Sequence, residues 1–124
     1  MTTPEPKIVQ WHSSVMHNPA IGAPRRPMSG NAVTRTAIEF QTPGDTVSAG
    51  TWEVTAGTFR SDTTGYIEFC HIVEGSCRVV DTDGTVHHLK AGDSFVMPEG
   101  FKGHWEVDER VKKVFFTTDV PAAA

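Results

Sequence analysis

The chain has 124 residues, of which 38% are hydrophobic and 21% charged, the composition of one soluble globular domain with a core of its own. Its net charge of -4 offers no basic face to nucleic acid or to an anionic membrane surface, and no apolar run approaches the roughly 18 residues that a membrane span needs. Cys70 and Cys77 are the only cysteines, too few for a disulfide framework. The opening MTTPEPKIVQ has no basic region followed by an apolar stretch, so reduced thiols and a cytoplasmic location are expected.

Residues 1–32 carry PEP and NPAIGAPRRPMSGN and show no sustained hydrophobic period. Proline fixes φ and removes a donor, so this segment reads as an irregular N-terminal arm. Its piece KIVQW (7–11) has the composition to add to a sheet edge. From residue 33 the texture changes. VTRTAIEF (33–40), GTWEVTAGTFR (50–60), YIEFCHIVEG (66–75), SCRVVDTDG (76–84), TVHHLKAGD (85–93), SFVMPEG (94–100), HWEV (104–107) and VKKVFFTT (111–118) are short runs rich in Val, Thr and aromatics. Turn residues separate them at roughly ten-residue spacing, the pattern of an all-β sandwich or barrel. DTDGT (81–85) reads as a tight hairpin with Gly84 at positive φ. No window from 33 to 118 shows a helical stripe. The domain is therefore placed at 33–118, with 119–124 as a C-terminal tail.

The stretch from Tyr66 to Val107 resembles the paired motifs of the cupin superfamily, whose first motif ends in a glutamate followed seven positions later by glycine. Glu68 and Gly75 match it. The second motif runs glycine, five residues, proline, one residue, glycine, two residues, histidine; Gly92, Pro98 and Gly100 match. Together with GTWEVTAGTFR and KKVFF, the chain is most similar to small single-domain cupins related to ureidoglycine aminohydrolase and to the ethanolamine-utilisation cupin. The resemblance implies an all-β double-stranded β-helix, an RmlC-like jelly-roll barrel with an extended N-terminal arm, and a homodimer.

It also implies a three-histidine, one-glutamate metal site, and here the chain departs from the pattern. The first-motif histidines fall at Ser61 and Thr63, or at Asp62 and Thr64, and the second-motif histidine falls at Gly103. Glu68 alone remains, with His104 one position late. Side chains alternate along a strand, so His104 is expected to face away from the Glu68 cavity, with Trp105 inward, unless a bulge near Gly100 and Gly103 restores it. Glu68 and His104 are the only weak metal candidates. No cofactor is expected; a divalent Mn, Zn, Ni or Fe ion is the alternative. His71 has the parity opposite to Glu68, His87 and His88 point to opposite faces, and His12 and His17 lie on the arm.

Parity from Glu68 puts Tyr66 and Cys70 on the cavity face. Arg60 is the expected partner for the Glu68 carboxylate or for a ligand carboxylate, since a guanidinium offers a planar donor fork. A thiol beside a glutamate is poorly activated, so Cys70 reads as an apolar filler of the pocket. Trp52, Phe95, Met97 and Trp105 complete the expected wall, and the two indole N–H groups suit a polar ligand. Two functions stay open, and with them whether the protein is an enzyme. One is a barrel that binds a small polar metabolite without a complete metal site. The other is a metal-dependent enzyme similar to (S)-ureidoglycine aminohydrolase.

Overall fold

The computed structural model describes residues 5–121. The chain order is β1 (Ala20–Gly22), β2 (Pro27–Ser29), β3 (Thr34–Gln41), a 3-10 turn at Pro43–Asp45, β4 (Val47–Asp62), β5 (Tyr66–Val80), β6 (Val86–Lys90), β7 (Ser94–Met97) and β8 (Lys102–Asp119). Every pairing is antiparallel. Among the described residues no helix is long and apolar enough to cross a membrane.

Three long strands, β4, β5 and β8, run through two layers and build the jelly roll. In one layer the first half of β4 lies between β3 and the second half of β8, and β8 continues to the first half of β5 and on to β7. In the other layer the second half of β4 carries β2, and the second half of β5 carries β6, again with β8 between them. The layers join where register slips. Thr55 faces Arg110 while Gly57 faces Val107, and Gly75 faces Val111 while Arg78 faces Glu106. Extra residues on one strand bend it and sharpen its twist, which folds a single sheet over a closed interior. Gly75 permits this corner. Its φ is +79°, and a Cβ there would lie 2.0 Å from the Arg110 carbonyl oxygen.

The interior holds Val54, Phe59, Cys70, Ile72, Val79, Met97, Trp105, Val107 and Val111, all buried. Two differences from the sequence reading follow from this bending. YIEFCHIVEG and SCRVVDTDG share one strand, as do HWEV and VKKVFFTT, because Gly75 and the Asp108–Arg110 stretch bend a strand without ending it. The arm is not wholly irregular either. Ala20–Gly22 pairs with β3 and Pro27–Ser29 with β4, Pro27 standing at the start of an edge strand, where a missing N–H costs no ladder bond. Residues 7–11 stay outside the sheet, anchored by Trp11 Nε1 donating to Thr51 Oγ1 at 3.2 Å. The strand end at Asp119 runs one residue past the expected domain limit, and residues 122–124 of the tail lie outside the described part.

Candidate functional site

β-Strand register lays the interior side chains in rows. Trp52, Lys113 and Ile72 stand opposite one another on β4, β8 and β5. The next row holds Phe115, Cys70 and Phe95, and the one after it Thr117, Glu68 and Met97. Lys113 and Glu68 therefore start two rows apart with the short Cys70 side chain between them. Both are long enough to meet over it. Lys113 Nζ donates to Glu68 Oε2 at 2.5 Å and to Cys70 Sγ at 3.5 Å, and Cys70 Sγ donates to Glu68 Oε2 at 3.2 Å. The lysine and glutamate side chains keep only 7% and 12% of their exposure.

The ammonium lies between two indoles. Lys113 Nζ is 4.6 Å from the Trp52 ring centroid and 4.7 Å from that of Trp105, within the range where the negative face of an aromatic ring attracts a cation. Trp105 is itself held by an edge contact with Trp52 at 5.6 Å and by stacking on Phe59 at 6.0 Å. Burial works against the ammonium, but the Cys70 sulfur and the Glu68 carboxylate outweigh it, and its pKa stays above the ordinary lysine value. Lys113 is thus a fixed cation and not a free amine nucleophile. Burial pushes the Cys70 thiol up to about 12, so this sulfur is a thiol at neutral pH and a poor nucleophile.

Lys113, Glu68, Trp52 and Trp105 form the floor of an open cavity of about 670 Å³. Six of the eight expected pocket residues reach its wall: Trp52, Arg60, Tyr66, Glu68, Met97 and Trp105. The other two, Cys70 and Phe95, stand in an interior row but do not line this cavity. Cys70 lies beneath the Lys113–Glu68 pair, and Phe95 packs behind Trp105 at 5.8 Å and faces a separate cavity bounded by Leu89 and Phe101. Tyr66 is half-buried, its hydroxyl donating to the Asp62 carbonyl at 3.3 Å; burial and then the Glu68 charge raise its pKa. Arg60 is exposed at the mouth and does not pair with Glu68; that place belongs to Lys113. Arg25 and Arg26 line the mouth as well. Arg26 approaches Asp62 at 3.5 Å, while Arg25 and Arg60 make no ion pair among the described residues.

Sequence reasoning missed Lys113, Arg25 and Arg26. For Lys113 a signal existed. Two adjacent lysines in one strand must face opposite ways, so one of Lys112 and Lys113 had to enter the barrel. Lys112 lies on the outer face of the sheet, where it is covered as well, 6% exposed and 3.2 Å from Glu74.

The residues present do not suit a cupin metal site. Among the described residues no three His, Cys, Asp or Glu side chains gather where one ion could bind. The strand from Lys102 to Val107 pairs with β4 without a bulge, so parity holds. His104 turns from the Glu68 cavity, bonds Glu106 Oε2 at 2.9 Å, and lines an adjoining cavity with Arg60 and Lys102. The second-motif position is also closed. A Cβ at Gly103 would lie 2.2 Å from the Val80 carbonyl oxygen and 2.6 Å from Phe101 Cζ. At the first-motif positions, Thr63 is buried and engaged with the Pro98 carbonyl and the Phe101 N–H, and Thr64 bonds Asp62. The arm histidine His17 is held by Glu39 at 2.9 Å.

Residues 41–115, more than half of the chain, match the EutQ-like cupin domain. No curated protein matches. Among solved structures, the chain is similar to the EutQ protein of Clostridium difficile, with 21% identity and a TM-score of 0.61 over 71% of this chain and 69% of that one. It is similar to a Pseudomonas syringae protein of unknown function, with 19% identity and a TM-score of 0.74 over 86% of this chain and 46% of that one. The ectoine synthase of P. lautus shares 12% identity at a TM-score of 0.67, over 90% of this chain and 78% of that one. At these identities the likeness concerns the fold.

Proposed function

Because the chain belongs to the family of EutQ-like cupin domains, we propose that its barrel binds a small carboxylate-bearing metabolite and does so without a metal ion. The observation that carries this reading is the division of charge in the cavity of about 670 Å³. The floor is electrically balanced by the Lys113–Glu68 pair, whereas the rest of the wall sets Arg25, Arg26 and Arg60 against Asp62 and Asp119, an excess of one positive charge; Arg26 is taken up by Asp62, and Arg25 and Arg60 make no ion pair among the described residues. Cavities of this size suit small metabolites, and a guanidinium fork at an aromatic-lined opening selects planar anions. The metal-dependent alternative, similar to (S)-ureidoglycine aminohydrolase, would need Mn, Zn, Ni or Fe to bridge Glu68 and His104, which face different cavities.

Thermal unfolding with pentanoate and with pentylammonium at low ionic strength tests the reading. A carboxylate at 100 times its Kd adds about 2.7 kcal/mol, a rise of roughly 10 °C for a chain of this size. Pentanoate is expected to raise the Tm, pentylammonium is not, and Arg60→Gln is expected to weaken the response. No response to pentanoate, or an equal response to both, would sink the reading.

We also infer a homodimer. Phe40, Ala49, Phe116, Phe69 and Val96 stand directly opposite one another on β3, β4, β8, β5 and β7, an uncharged row crossing the outer face. Four of them are exposed, Val96 by 52% and Phe116 by 43%. An exposed, uncharged row of this kind supports pairing with a second copy about a two-fold axis. Ile8, 93% exposed on the arm, adds apolar surface that a second copy would cover.

A further inference from the structure

In this barrel the interior cation is covalently built in. Lysine carries three N–H donors. Two are engaged by Glu68 Oε2 and Cys70 Sγ. The third has no acceptor among the described residues, although Lys113 borders the open cavity. The two indole faces fix the position of Nζ, so the ammonium is preorganised and does not have to be ordered when a ligand arrives.

The charge count then limits what can occupy the third position. Lys113 and Glu68 cancel, and the Glu68 oxygen lies 2.5 Å from Nζ. A second carboxylate brought to this ammonium would meet Glu68 at close range in a poorly solvated site and be repelled. An uncharged oxygen, a carbonyl or hydroxyl, takes the proton without that penalty. The anionic end of the ligand belongs at the mouth with Arg60 and Arg25. We propose that Lys113 is the ligand-recognising cation of the barrel floor, and that it selects small oxo- or hydroxy-monocarboxylic acids by donating its third N–H to their uncharged oxygen. This rests on the carboxylate-binding reading and sharpens it to a ligand class.

The test compares three probes of similar length by following Trp fluorescence, since Trp52 and Trp105 flank Nζ. They are pentanoate, 4-oxopentanoate and succinate. A hydrogen bond to a charged donor is worth roughly tenfold or more in affinity. The wild-type chain is expected to bind 4-oxopentanoate about tenfold more tightly than pentanoate, with succinate weakest. Lys113→Met could misfold by stranding Glu68, so the double variant Lys113→Met/Glu68→Leu, which leaves no buried charge, is measured beside it. Its affinities for 4-oxopentanoate and pentanoate are expected to differ by less than about twofold, so that the preference is lost whatever the absolute affinity. If the wild type binds pentanoate and 4-oxopentanoate equally, or succinate best, the Lys113 assignment falls while the carboxylate pocket stands. If no probe binds, both fall. A preference that survives in the double variant likewise overturns the assignment.

Discussion

Replacing Lys113 by methionine keeps most of the stem that crosses between Trp52 and Trp105 and deletes the charge. The Glu68 side chain, only 12% exposed and bonded to Nζ at 2.5 Å, is then left facing apolar neighbours. Breaking a buried pair from one side costs about 3–5 kcal/mol, within which the two cation–π contacts account for roughly 0.5–2 kcal/mol each. For 124 residues that corresponds to a fall in Tm of roughly 10–20 °C. Removing both charges in Lys113→Met/Glu68→Leu is expected to recover most of the loss, because a well-packed apolar replacement of a buried pair is often neutral. Urea unfolding at pH 7, followed by circular dichroism and by Trp fluorescence, gives the four stabilities of the double-mutant cycle once the two probes coincide. A single-variant loss below about 1 kcal/mol, or a double variant as unstable as the two singles added, would refute the claim that the pair is buried and coupled.

Three further outcomes follow. Cys70 and Cys77 have thiols raised by burial to about 12 and about 11. Unfolding releases them as thiolates above about pH 8.5, so each removes about 1.4 kcal/mol of stability per pH unit from there up to its folded value. Below pH 8 neither contributes a slope, and Cys70→Ala should remove close to half of the fall between pH 9 and pH 10; an unchanged slope would contradict the assignment. Gly103→His should not create a metal site but should destabilise the fold by about 1–3 kcal/mol through overpacking against Val80 and Phe101, as read by thermal unfolding with and without added zinc. Phe69→Glu places a charge in the exposed apolar row and should convert a dimer near 27 kDa, twice the 13.5 kDa of one chain, to monomer by light scattering; a wild-type chain that is already monomeric ends the dimer proposal.

The fold was legible because alternation, β-branched content and turn residues all pointed to a barrel, and because the glycine and proline positions of the two motifs are intact. What local signals could not show was that Gly75 and the Asp108–Arg110 stretch are bends inside strands, since a glycine marks a reversal and a bulge alike. Parity placed Glu68 and Trp105 in the interior, and strand pairing without a bulge keeps His104 out of it. The same rule applied to Lys112 and Lys113 would have put an ammonium inside. Such a reading runs against the expectation that lysine stays in solvent, and the guanidinium fork of Arg60, which points to it as the partner of Glu68 from sequence, stands instead at the exposed edge of the cavity. Lys113 is tolerated inside because its partners lie on three strands, β4, β5 and β8, that are distant in sequence and adjacent only after folding.

An ammonium, and not an ion from solution, meets Glu68 at the centre of the barrel. Elemental analysis of protein purified without chelator measures this directly. Manganese, zinc, nickel and iron are each expected well below one equivalent per chain, with no change in Glu68→Gln. Close to one equivalent of any of them, lost in Glu68→Gln, would contradict it.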